Sequence, residues 1–181
     1  MKICIDPGHG LGARIPFLND PGAVAGGVTE AQIVLDFAIT LKTVLHEAGI
    51  PFCMTRNSAR SGMRTGARAK WAERQGATHF ISLHCNAGPP SASGIETFHR
   101  VRTPWVNAVH AATVQSIGLR DRGVKHESFT RHTRIAVLGA PNSCLVELGF
   151  ITNEEDRERL LSRDARIDFA EAILAVIRKM P

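Results

Sequence analysis

Short apolar runs of strand length alternate along the chain with segments whose apolar residues recur at helical spacing, and this alternation leaves few folds open. Ile3 to Ile5 is the first run, closed by the turn residues Asp6, Pro7 and Gly8. The stretch through Gly27, rich in Gly, Pro, Asn and Asp, reads as a long loop. Thr29 is a candidate N-cap with Gln32 at the capping-box position. Ile33, Val34, Phe37, Ala38, Leu41, Val44 and Leu45 then repeat at helical spacing until Gly49. The pattern predicts a strand at 51–55, a helix over 62–75, a strand at 79–84, a strand near 94–99 and a helix near 105–117. Strands near 135–138 and 144–148 follow, then two helices starting near Asn153 and Asp164.

Strands separated by helices, with no repeat and no composition break, predict an α/β fold: a single domain over residues 1–181, with a mostly parallel twisted sheet flanked by helices on both faces. A chain of 181 residues can bury one sizeable core, and 44% apolar with 22% charged residues argues against a disordered or fibrous class. No separate binding module is visible. No stretch nears the roughly 18 apolar residues of a membrane span, so no stable membrane insertion is expected, and no signal-peptide pattern opens the sequence. The four cysteines, Cys4, Cys53, Cys85 and Cys144, form no CxxC pair and read as reduced structural residues, which makes synthesis in the cytoplasm the expectation.

The formal net charge of +5 favours anionic partners. Its arginines recur singly, without interleaved aromatics and with no tyrosine in the chain, so no nucleic-acid partner is expected.

In parallel sheets, functional groups gather at the carboxyl edge. One strand ends in Asp6-Pro7-Gly8-His9-Gly10, another in Ser82-Leu83-His84-Cys85-Asn86, and the last in Val146-Glu147-Leu148-Gly149-Phe150. Glu30, in the first turn of the first helix, adds a second carboxylate beside the loop leaving His9. Two imidazoles and one carboxylate with an open position are a catalytic zinc set, which would leave the other glutamate as general base. Separations of 21, 54 and 63 residues match no local metal motif, so spacing alone leaves structural roles open. Glu30 also reads as a first-turn carboxylate facing the helix dipole. Cys85, next to His84 in a strand, is expected on the opposite face.

The run Ile5-Asp6-Pro7-Gly8-His9-Gly10, Glu30 opening a helix, Phe80 to Ala87, Gly94-Ile95-Glu96-Thr97-Phe98, Arg122-Gly123-Val124-Lys125 and Leu145 to Asn153 occur in one order. In that order they resemble zinc-dependent N-acetylmuramoyl-L-alanine amidases of the type called amidase 3, over nearly the whole chain. The resemblance implies a catalytic domain that binds zinc (Zn2+) through His9, Glu30 and His84 and uses Glu147 as catalytic carboxylate. The implied substrate is peptidoglycan, cleaved between N-acetylmuramic acid and L-alanine. Asn86 reads equally as a substrate contact or a turn cap, and Arg68 as a substrate contact or a scaffold salt bridge. His126 and His132 are further candidates for the groove.

The first loop is longer than the family's common short version, although Asp20-Pro21-Gly22-Ala23 matches its end, and 126–133 is polar where the family is apolar. The 63-residue interval between His84 and Glu147 leaves no room for the helical insert that blocks the groove of some relatives, so constitutive activity is expected. A monomer resembling a phage endolysin is the resulting expectation, made without a signal peptide and reaching the wall through a separately made membrane lesion, with a mother-cell lysis amidase as the other reading of the same features. A catalytically silent wall-binding or regulatory module is the alternative, and the presence of all four implied site residues argues against it.

Overall fold

The computed structural model describes residues 1–130 and 134–180. Strand β1 (Ile3–Pro7) leads through two small hairpins, β2 (Gly10–Leu11) with β3 (Asn19–Asp20) and β4 (Val24–Ala25) with β5 (Val28–Thr29), into helix α1 (Glu30–Glu47). Then come β6 (Phe52–Met54), α2 (Thr65–Arg74), β7 (His79–Asn86), β8 (Ile95–His99), α3 (Pro104–Ile117) and β9 (Asp121–His126). A 3-10 turn at Ala136–Gly139, β10 (Ser143–Phe150), α4 (Glu154–Leu161) and α5 (Arg163–Lys179) complete the chain.

Six strands form one sheet in the order β6-β1-β7-β10-β8-β9. The first four run parallel, β8 is antiparallel to β10, and β9 is parallel to β8. Alternation along the strands sorts their side chains onto two faces. Ile3, Ile5, Ile81, Leu83, Cys85, Cys144, Val146 and Leu148 join the larger core with the apolar sides of α1, α3 and α5. Cys4, Phe80, Phe98 and Leu145 meet Ala72 of α2 and Val137 and Leu138 on the other face. The α/β layering expected from the sequence is therefore present, Cys85 shares the larger-core face with Ile81 and Leu83 rather than pointing with His84, and all four cysteines are free thiols.

Three local expectations are corrected. The long loop through Gly27 contains the two hairpins. Residues 135–138 are no strand: Val137 and Leu138 are buried by a 3-10 turn that caps the smaller core, and a four-residue apolar run looks the same in either case. Strand β9 was not foreseen, because Asp121-Arg122-Gly123-Val124-Lys125-His126 lies half-exposed at the sheet edge and lacks an apolar run. Helix α2 also begins at Thr65 rather than residue 62, because Arg64 before it keeps an extended ψ of 135°.

Candidate functional site

The chain leaving β1 is held open by two buried arginines. Arg68 donates from Nη1 to Asp6 Oδ1 (2.9 Å) and the Pro7 carbonyl (3.0 Å), and from Nη2 to the His9 carbonyl (2.7 Å). Arg56 donates to the carbonyls of Pro7 (3.1 Å), Gly8 (2.8 Å) and Ala31 (2.7 Å), which ties the same turn to the start of α1. Burial lowers the Arg56 pKa to about 10, with the Arg68 charge adding to the effect. Asp6 also accepts from Thr55 Oγ1 (2.5 Å) and Ser82 Oγ (2.6 Å). Burial alone would raise its pKa, but the Arg68 charge and these hydroxyls hold it below the usual carboxylate range. Within this frame His9 adopts φ +62°, a left-handed conformation that few residues other than glycine accept.

His9, Glu30 and His84 each offer a ligand atom, and these atoms lie within 4.8 Å of one another. Glu30 Oε1 is 2.9 Å from His9 Nε2 and 2.9 Å from His84 Nδ1, and accepts from the Cys85 amide at 3.0 Å. Its Oε2 accepts from the Ala23 amide (3.0 Å). The other nitrogen of His9, Nδ1, faces Asp20 Oδ2 at 3.0 Å. A carboxylate behind a ligating imidazole fixes its tautomer and orientation. Burial pulls the His9 pKa down, but the bonds to Glu30 and Asp20 outweigh it and hold the ring above the ordinary histidine value. Gly8 packs on the His84 ring and Gly22 on the Glu30 carboxylate, where side chains would displace both groups.

Glu147 is the Cα partner of His84 in β7 on one side and of Glu96 in β8 on the other. Its Oε2 is buried and has no hydrogen-bond partner among the described residues. Burial, then the charges of Glu30 and Glu96, raise its pKa well above the usual value. A divalent cation among the three ligand residues would oppose that shift, so the orphaned carboxylate and the two-imidazole, one-carboxylate donor set both fit a metal ion. Glu96 is itself tied to Asn86 Nδ2 (2.7 Å), Arg122 Nε (3.1 Å) and Lys125 Nζ (2.5 Å). His9, Glu30, His84, Asn86, Glu96 and Glu147 border a cleft of about 1000 Å³, with Phe98, Phe129, Ile135, Val137 and Leu145 along its apolar side.

The structure thus brings His9, Glu30, His84 and Glu147 to one cleft. Arg68 also borders it, but its guanidinium is engaged by Asp6 and backbone carbonyls, and Asn86 Nδ2 is engaged by Glu96. His126 lies at the end of β9 with its Nδ1 bonded within its own turn, and His132 lies outside the described residues. Sequence reasoning missed Asp20 as the partner of His9, the cations held by Glu96, and Phe129, which is presented by a turn whose Glu127 is clamped by Arg100 at 2.6 Å. No local signal marks contacts between residues so distant in sequence.

The family model for N-acetylmuramoyl-L-alanine amidase matches residues 3–179. The chain belongs to this amidase family. Members similar to it include the sporulation-specific N-acetylmuramoyl-L-alanine amidase of Bacillus subtilis, 30% identical over 88% of this chain and 60% of that protein. The endolysin of Bacillus phage SPP1 is 31% identical over 93% of this chain and 62% of that protein. This chain therefore spans about three fifths of the length of these two amidase-family relatives. Among solved structures, N-acetylmuramoyl-L-alanine amidase AmiC2 of Nostoc punctiforme superposes with a TM-score of 0.83 at 30% identity, covering 99% of this chain and 98% of that one.

Proposed function

We propose that the protein hydrolyses the amide bond between N-acetylmuramic acid and the L-alanine of the peptidoglycan stem peptide, with a zinc ion held by His9, Glu30 and His84. The observation that carries this reading is the convergence of those three ligand residues beside the unpartnered carboxylate of Glu147 in one cleft. Membership in the amidase family supports the bond assignment. A zinc ion there supplies Lewis acidity toward the scissile carbonyl and toward water.

The chain's own groups do the rest. Asp20 keeps His9 oriented with Nε2 toward Glu30, and the Arg68 and Arg56 bonds keep the turn that carries His9 in its left-handed conformation. Glu147 takes a proton from the attacking water as its oxygen bonds to the carbonyl carbon. As the C–N bond breaks, Glu147 returns that proton to the leaving amine of L-alanine, giving a glycan carboxylate and a free stem peptide. Phe129 and the apolar residues across the cleft give the substrate an apolar surface to lie against. Neither Asn86 nor Arg68 needs to touch substrate here: Asn86 orients Glu96, and Arg68 is a positioning residue.

The similarities to a phage endolysin and to a sporulation-specific bacterial amidase both support action on the bacterial cell wall. Digestion of purified peptidoglycan tests the reading: new amino termini on alanine without new reducing sugar ends are expected. Reducing ends without alanine amines would assign another bond.

A further inference from the structure

We propose that the tip of the loop between β2 and β3 docks on an anionic bilayer surface. Arg14 through Asn19 is continuously exposed, and it presents Ile15, Phe17 and Leu18 with 58%, 92% and 57% of their surfaces in solvent. Phe17 is turned outward at φ +65°. Soluble surfaces scatter large apolar side chains singly, so three on one loop tip mark an interaction site.

The surrounding charge selects the partner. The segment 55–70 packs against this loop: Gly62 lies on the Leu11 carbonyl, and the Thr65 amide and Oγ1 both donate to the Ala13 carbonyl at 3.1 and 3.2 Å. It contains no aspartate or glutamate, and it exposes Arg64, next to the Thr65 that bonds the loop, and Arg60 further back in the same segment. Arg14 adds a side chain 70% exposed. The loop's acid, Asp20, is engaged by His9 and Arg14. Apolar side chains on a loop whose own exposed cation is Arg14, packed against a segment with exposed Arg60 and Arg64 and no acid, match a headgroup layer over acyl chains, with the apolar tip entering the boundary and the cations meeting lipid phosphates. A soluble polyanion would use the arginines and leave the apolar tip without a role. Arg14 and Asp20 also border the cleft, so docking would set the cleft mouth beside the membrane.

The test is co-sedimentation of the protein with vesicles of phosphatidylglycerol and phosphatidylethanolamine, against vesicles of phosphatidylcholine. Wild type should pellet with the anionic vesicles only. Phe17→Ser with Leu18→Ser should reduce that partition about ten-fold or more while hydrolysis of soluble wall fragments is unchanged. Arg60→Gln with Arg64→Gln should reduce it and remove most of its salt dependence. The proposal is overturned if wild type stays in solution, or if the serine variant pellets like wild type. Loss of soluble-fragment hydrolysis in the serine variant with vesicle binding intact would place the tip in the substrate groove instead. Equal retention of both forms on an immobilised polyanion, with neither on vesicles, would leave only a basic surface.

Discussion

The guanidinium of Arg68 donates to the carbonyl oxygen of His9 at 2.7 Å while its other nitrogen meets Asp6 at 2.9 Å, so one side chain couples the buried end of β1 to the backbone of a proposed metal ligand. Removing it leaves Asp6 buried without its cation. Arg68→Ala should cost about 3–5 kcal/mol of stability, read from the urea unfolding midpoint, and should weaken metal binding as well. Arg68→Lys should recover little, since a single ammonium cannot span Asp6 and the carbonyls of Pro7 and His9.

Asp20 contacts no proposed reacting atom but bonds the His9 ring proposed to hold the metal. Asp20→Ala should lower metal affinity about 10–100-fold, with folding stability in excess zinc close to wild type. Competition with a chromogenic chelator measures this directly. Unchanged affinity would show that Arg56 and Arg68 alone suffice to orient His9.

Glu127 gives a pH signature away from the ligands. Its bond to Arg100 outweighs burial and, with the Ile135 amide, holds its carboxyl below the ordinary value. A carboxyl depressed in the folded state adds stability that is present above its unfolded pKa of about 4.3 and is lost as pH falls through the lower folded value. Glu127→Gln should therefore be less stable than wild type by about 1–3 kcal/mol at neutral pH, with the gap closing in acid. The same variant should raise KM more than it lowers kcat, because the turn presenting Phe129 loses its clamp.

How much was legible in the sequence follows from which forces are local. Alternation in Phe80-Ile81-Ser82-Leu83-His84-Cys85 placed His84 and Cys85 on opposite faces, and the apolar spacing of Ile33 to Leu45 gave α1, because both patterns are written within a few residues. His9, His84 and Glu147 were legible as strand-end groups for the same reason. Strand β9 was not, since its pairing with β8 is set by an edge position rather than by its own polar residues. Nor were the bonds Asp20 to His9 and Lys125 to Glu96, which depend on two elements arriving at one place. Arg68 had two readings in the sequence, and only its fully engaged donors favour one of them.

His9, Glu30 and His84 are proposed to hold a metal ion that works with Glu147. The most direct measurement pairs zinc content with alanine-amine release for wild type, His84→Ala and Glu147→Gln, each stripped with chelator and then titrated with zinc. Wild type should regain full release as it takes up one zinc ion per chain. His84→Ala should neither retain zinc nor recover, and Glu147→Gln should retain zinc while its turnover falls about 10²–10⁴-fold. Recovery of the stripped wild type without added metal, or near-normal turnover by Glu147→Gln, would contradict the claim.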